Sequence, residues 1–244
     1  MVKLSIVTIS YNCINDLKST MDSVKSQSYS DYEYIVIDGG SSDGTNELLI
    51  KSSIVDKYIS EPDGGIYDAM NKGVELAEGE YILFLNAGDT FCSKCILNEA
   101  VRFLSGDEDI IYGNALRDTP EGFVKFKNSK LSDITFGMVF CHQAVFTKAE
   151  LFKNKAYSLD YKIAGDYEFY LRGYLLGATF KYVDLDIAVI DNEGVSNTRK
   201  FRSTIERYRI VKKAKVLTWR LYFKFSYYLF RALLSDFLRK VKVL

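Results

Sequence analysis

Tyr81-Ile-Leu-Phe-Leu85 is an unbroken apolar run that stops at Asn86-Ala-Gly-Asp89. A run with no polar face suits a strand covered on both sides, as in a parallel sheet flanked by helices. Open sheets of that kind bind ligands beyond the carboxyl ends of their strands. A carboxylate on a glycine-containing turn at that edge has the chemistry to hold a hard divalent cation that also binds phosphate oxygens.

The same pattern recurs upstream. Residues 4–9 are rich in β-branched side chains and predict a first strand. Ile14, Leu17, Met21 and Val24 recur at helical spacing, with Asn12 and Asn15 as candidate caps. A second strand, 34–37, ends at Asp38 and a tight loop at 39–45 follows. A third, 55–60, runs into the turn Glu61-Pro-Asp-Gly-Gly65, and Ile66, Met70, Val74 and Ala77 mark the next helix. Strands alternating with helices predict an α/β fold with a mostly parallel central sheet. A more mixed region follows, with helices at 96–104 and 166–176 and strands at 109–112, 123–126, 138–140 and 179–183.

Two prolines in 244 residues leave no proline-rich linker. The N-terminus enters a strand at once, so no secretory signal is predicted and reduced thiols in a cytoplasmic setting are expected. Cys92, Cys95, Cys141 and His142 are zinc-ligand types, but Cys141 and His142 are adjacent and neighbours on a strand face opposite ways, which disfavours a zinc site.

The neutral net charge conceals a split. From Arg199 onward there are 14 Lys and Arg against Glu206 and Asp236, an excess of +12 that the rest of the chain balances. Eight aromatics between Trp219 and Phe237 are interrupted by Arg220, Lys224 and Arg231. Charge-free stretches are far shorter than the ~20 residues of a membrane span. Basic and aromatic residues mixed in this way predict a helix lying in an anionic membrane interface; a helix packed on the domain is the alternative. A nucleic-acid-binding tail is a further alternative and is not expected.

Ser10, Tyr11 and Asn12 follow strand one, Asp38 strand two, Asp63 strand three, and Asn86 and Asp89 strand four. Parallel strands bring these loops to one edge. No G-x-G-x-x-G follows the first strand, and neither G-x-x-x-x-G-K-[ST] nor G-x-S-x-G occurs. What remains is a cleft able to stack a base, bind a ribose and hold a metal-bound diphosphate.

Four blocks carry a resemblance. Ser5-Ile-Val-Thr-Ile-Ser-Tyr-Asn12, Val36-Ile-Asp-Gly-Gly-Ser-Ser-Asp-Gly-Thr45, Ser60-Glu-Pro-Asp-Gly-Gly-Ile-Tyr-Asp-Ala-Met-Asn-Lys-Gly73 and Phe84-Leu-Asn-Ala-Gly-Asp89 resemble family 2 glycosyltransferases of the GT-A fold, and more narrowly bacterial enzymes of O-antigen and exopolysaccharide assembly. The resemblance implies a catalytic domain over 1–198, with a nucleotide-binding half (1–90) and an acceptor half (91–198), before a basic tail at 199–244. It implies that Thr8, Tyr11, Asn12 and Asp38 line a nucleoside pocket, that Asp63 and Lys72 lie near ribose and diphosphate, and that Asn86 joins the donor site. Asp89 matches the metal-binding acid of a motif usually written Asp-x-Asp-Asp. Asn86 and Gly88 depart from that motif, so affinity for Mn2+ or Mg2+ is expected to depend on the nucleotide.

By the same resemblance, Asp166 is the base near the acceptor hydroxyl, and His142 and Gln143 lie near donor phosphate or acceptor. A plain N-cap is the alternative for Asp166, and Glu168 is its rival, roughly 200° around a helix. The implied activity is inverting, metal-dependent transfer of a hexose from a nucleotide sugar, best UDP-glucose, to a polyprenyl-diphosphate-linked sugar. The implied place is the inner face of a bacterial plasma membrane. A nucleotidyltransferase would show a glycine-rich basic loop after strand one, which Ser10-Tyr-Asn-Cys-Ile14 is not. An inactive sugar-binding homologue remains the other reading of the thinned metal motif.

Overall fold

The computed structural model describes residues 3–190 and 200–241, with side chains to 231 in the last helix. The first half is a regular alternation: β1 (Leu4–Ser10), α1 (Ile14–Lys25), β2 (Tyr32–Asp38), α2 (Thr45–Ile50), β3 (Lys57–Ser60), α3 (Ile66–Leu76) and β4 (Tyr81–Phe84). β1 pairs in parallel with both β2 and β4, and β2 with β3. The order 3-2-1-4 reverses between β1 and β4, which opens a crevice at their carboxyl ends.

The period-two pattern of β1 explains its two buried faces. Leu4 and Ile6 pack with Leu17, Met21 and Val24 of α1, while Val7 packs with Met70 of α3 on the other side. The α1 stripe is thus the one its spacing predicts. The α3 face is so in part: Met70 is buried and Val74 and Ala77 pack against the same cluster, whereas Ile66 is exposed and Tyr67, Ala69 and Gly73 are buried beside Met70.

The second half is mixed. It contains β5 (Thr90–Phe91), α4 (Ile96–Ala100), β6 (Ile110–Thr119), β7 (Gly122–Lys125), β8 (Val145–Lys148), α5 (Ala149–Asn154), α6 (Gly165–Leu175) and β9 (Phe180–Ile190). β8 inserts antiparallel between β4 and β6, β9 runs parallel to β6, and β5 closes the edge against β9. The described strands therefore form one mixed sheet in which β1–β4 run parallel. The strand expected at 138–140 is absent. Val139 and Phe140 are buried without a ladder, Phe140 packing its ring on Tyr112 and Tyr170. The strand in this part of the sheet is β8, which the pattern did not single out.

Two helices follow, α7 (Lys200–Lys213) and α8 (Trp219–Val241). The boundary expected at 198/199 falls in residues outside the described ones. Beyond it the chain is no free arm: Ile210 and Val211 of α7 and Phe225 of α8 join the same buried cluster as Tyr167 and Phe169 of α6. Among the described residues no helix is long and apolar enough to cross a membrane.

Candidate active site

The loops after β1 and β2 are clasped together. Asn12, at φ 50°, donates its N–H to Ser41 Oγ (2.7 Å), and its Oδ1 accepts the N–H of Ser42 (2.9 Å). Asp43 completes the clasp. Its Oδ2 accepts the N–H of Ile14 (2.8 Å) while Oδ1 accepts the Thr45 hydroxyl (2.7 Å), so one carboxylate caps α1 and also holds the start of α2. The Thr45 hydroxyl leads the interactions that hold the Asp43 carboxyl below its ordinary range. The expected caps Asn12 and Asn15 do not serve: Cys13 occupies the cap position without a side-chain bond, and Asn12 is spent on the clasp.

Asp38 is fully buried. Its carboxylate accepts the Ser60 hydroxyl (2.7 Å) and the N–H and hydroxyl of Ser41. Thr8 is also sealed from solvent, donating to Leu85 O (2.7 Å) and accepting from the Tyr34 hydroxyl (3.0 Å). Both lie beneath the crevice. At its surface stand Tyr11, 65% exposed, and Asp63, which meet over Gly39. A Cβ on Gly39 would lie 2.6 Å from Asp63 Oδ2 and 3.2 Å from Tyr11 Cδ2. Asp63 Oδ1 accepts the N–H of Gly65 (2.8 Å), which fixes its direction. Lys72 reaches the same turn through Glu61 (2.7 Å) and Pro62 O (3.2 Å), and Glu61 leads the contacts that raise its pKa. An exposed aromatic face thus stands beside a carboxylate, and an ammonium reaches the turn that carries it.

The turn after β4 is pinned from α1. The buried Thr20 hydroxyl donates to Asp89 O (2.8 Å) and accepts the N–H of Gly88 (3.0 Å). Asp89 is itself buried, and Asn86 Oδ1 is a buried oxygen with no hydrogen-bond partner among the described residues. A carboxylate and an amide oxygen on one turn are hard donors and fit a divalent cation whose other ligands come from a diphosphate. Among the described residues no three His, Cys, Asp or Glu side chains gather to hold a metal ion alone. The same holds for the zinc-ligand types: Cys92, Cys95 and Cys141 are free thiols, and Cys141 Sγ instead bonds Gln143 Oε1 (2.8 Å).

The third component comes from α6. Asp166 lies in its first turn but caps nothing: Ala164 occupies the cap position, and the Asp166 carboxylate turns to side chains. Oδ1 accepts the Tyr67 hydroxyl (2.9 Å) and Oδ2 lies 3.7 Å from His142 Nδ1. Gly165 makes this possible, because a Cβ there would sit 2.8 Å from the Tyr67 ring. Burial, then the Asp166 charge, pushes the Tyr67 phenol well above its ordinary range, so it stays a donor. Burial pushes His142 below its usual value against the pull of Asp166, and its buried Nε2 has no hydrogen-bond partner among the described residues. Glu168 faces elsewhere and pairs with Arg172 (3.2 Å). Burial pushes the Cys141 thiol up to about 12, and both Asp89 and Asp166 add to the rise.

Residues 5–179 match the glycosyl transferase family 2. The chain belongs to that family. It is 37% identical over 183 residues to an uncharacterized glycosyltransferase of Mycobacterium tuberculosis, covering 71% of this chain and 69% of that one. It is 30% identical over 203 residues to a PGL/p-HBAD biosynthesis glycosyltransferase of Mycobacterium bovis, covering 80% and 79%. Its fold is similar to that of S. aureus TarS 1-349 in complex with UDP-GlcNAc (TM-score 0.70, 19% identity, 85% of this chain and 64% of that one). It is also similar to the mannosyltransferase PcManGT from Pyrobaculum calidifontis in complex with GDP-Man and Mn2+ (TM-score 0.68, 16% identity, 88% and 65%). This chain spans less than two thirds of either solved chain.

This glycosyltransferase thus has the GT-A-like α/β fold that the four blocks imply. Sequence reasoning missed Thr20, Asp43, Tyr67 and Glu206, each of which holds a site element through a contact distant in sequence. Only Asp43 carried a local signal, an acid two residues before a helix that starts at Thr45.

Proposed function

We propose that this glycosyltransferase moves a hexose, with inversion, from UDP-glucose to a sugar on a polyprenyl diphosphate, GlcNAc-diphospho-lipid being the best acceptor. The observation that carries the reading is Asp166: an acid in a helix's first turn that caps nothing and is aimed by Tyr67. A carboxylate so held suits proton removal from an acceptor hydroxyl as it attacks. Asp89, with Asn86 Oδ1, is placed to hold Mn2+ or Mg2+ together with the donor diphosphate. The bound cation supplies Lewis-acid stabilisation of the leaving group. Tyr11 offers a stacking face for the base, with Asn12, Asp63 and Lys72 around ribose and phosphate, and Thr8 and Asp38 as the floor. His142 and Gln143 border the reacting centre from the other side. Relatives named for PGL/p-HBAD biosynthesis support sugar transfer within a biosynthetic assembly.

α8 supports a membrane-borne acceptor. Trp219, Phe223, Tyr227 and Phe230 are exposed and fall at spacings of four, four and three residues, so they form one stripe. Arg220 and Arg231 lie over rings of that stripe, while Phe225 on the other face is buried. An aromatic stripe bordered by cations suits an anionic bilayer surface on the cytoplasmic side.

The test is transfer over UDP-glucose, UDP-galactose and GDP-fucose to a GlcNAc-diphospho-lipid, with and without chelator, reading product anomeric configuration by NMR. One dominant, chelator-sensitive donor with inverted product is expected. Nucleotide binding without transfer from any donor would favour a sugar-binding homologue. Sedimentation with anionic vesicles tests the tail: serine at all four stripe positions should release the protein, and indifference of the wild type to vesicles at low salt overturns that part.

A further inference from the structure

The single acid of α7 is buried among fourteen basic neighbours in the tail sequence, and it is not spent on them. Glu206 Oε2 accepts the backbone N–H groups of Lys162 (3.1 Å), Ile163 (2.8 Å) and Ala164 (3.0 Å). Oε1 takes a second bond from Lys162 N–H (3.2 Å) and one from Arg202 Nε (3.3 Å). These amides lie just before α6, which starts at Gly165 and has an alanine at its cap position. A carboxylate from another helix, some forty residues downstream in sequence, holds the three residues that lead into α6, by hydrogen bonds strengthened by its charge.

Those three amides belong to the segment that delivers Gly165 and Asp166. The next residue of α7, Arg207, is close enough to Asp166 and Tyr167 to feel both electrostatically. Asp166 is therefore gripped from two directions: Tyr67 of α3 holds its carboxylate, and Glu206 holds the backbone that leads to it. We propose that Glu206 is a positioning residue, through which the C-terminal helices set the geometry of Asp166. The proposal rests on the reading of Asp166 as the base. Glu206 acts through its grip on the backbone and not through charge at the reacting centre, so a side chain of equal length with one acceptor oxygen should preserve the effect.

The experiment is a double-mutant cycle of transfer kinetics in the full chain, with UDP affinity measured in parallel by calorimetry. Glu206→Ala should lower kcat at least about tenfold and leave UDP affinity within about twofold, since Tyr11, Asn12 and Asp63 lie on other loops. Glu206→Gln should recover kcat to within about threefold of wild type. In the Asp166→Asn background, Glu206→Ala should add almost nothing, because a residue acting through Asp166 has nothing left to position. If Glu206→Ala does not fold, Glu206→Asp replaces it; it keeps the charge but withdraws it by one methylene, and reduced kcat with intact UDP affinity is expected. Wild-type kcat in a folded Glu206→Ala or Glu206→Asp, or losses that multiply with Asp166→Asn, overturn the proposal. So does a fall in UDP affinity that matches the fall in kcat. Wild-type turnover in Asp166→Asn alone would instead overturn the base assignment.

Discussion

The two halves of the crevice are assembled differently. On the side formed by β1–β4, the proposed nucleotide side, each component sits on its own loop within a few residues of a strand end, and neighbouring loops clasp each other: Asn12 to Ser41 and Ser42, Asp38 to Ser60. On the proposed acceptor side one carboxylate depends on partners from α3, the 142–144 turn and α7. Local assembly tolerates a change at one loop, because the strands still fix the others. Remote assembly concentrates function in few contacts. Damage should therefore be graded on the nucleotide side, the metal turn excepted, and abrupt at the corner around Asp166.

The largest effects test that contrast directly. Asp89→Ala should abolish transfer and cation-dependent nucleotide binding with the fold intact, because Asp89 is the only acid in the strand-four motif. Asp166→Asn should lower kcat roughly 10²-fold or more and leave UDP affinity unchanged, as expected for a general base. Glu168→Gln should be far milder, since its carboxylate is committed to Arg172. Steady-state kinetics and calorimetry on the three variants separate the roles, and a dead Glu168→Gln beside an active Asp166→Asn would reverse the assignment.

Gly39→Ala sharpens the graded side. The added methyl meets the tip of Asp63 and the edge of Tyr11, both side chains, and not backbone. The fold should survive while the two residues are pushed apart. A rise of about tenfold in donor KM with kcat within about threefold is expected. An unchanged KM would remove Tyr11 and Asp63 from the donor site.

Thr20→Val, nearly isosteric, tests how the metal turn is held. It removes the hydroxyl that accepts Gly88 N–H and donates to Asp89 O inside the core. Losing bonds to buried backbone groups should cost about 1–3 kcal/mol in urea unfolding and weaken the cation requirement's midpoint. Stability lost with no change in metal dependence would show that the turn is set by its own backbone.

These contrasts also explain what the sequence could disclose. Apolar runs stopped by Asp38 and by Asn86-Ala-Gly-Asp89 made the parallel half legible, because strand, turn and ligand edge are local there. Asp166 was legible only through the resemblance; Tyr67 and Glu206 lie about a hundred and forty residues away from each other, and no periodicity links them. The false strand at 138–140 has the same origin. Three apolar residues read alike whether a ladder or a ring cluster buries them. The tail's charge pointed outward to a membrane, while Glu206, Ile210, Val211 and Phe225 point inward.

The smallest expected effect concerns His142. Burial holds its folded pKa below the ordinary value, and the Asp166 charge only partly offsets this. On acidification the unfolded chain therefore takes up the proton first. The stabilising contribution is complete above the unfolded pKa and is lost as pH falls from there toward the folded one. One proton limits the slope to at most about 1.4 kcal/mol per pH unit. His142→Asn removes the titration, and carboxylates that titrate at lower pH are common to both proteins. Urea midpoints at several pH values between 7.5 and 5 should therefore fall more steeply for wild type than for the variant. Parallel curves would mean that His142 is free to charge in the folded protein. The corner around Asp166 would then be more open to water than the buried Nε2 implies.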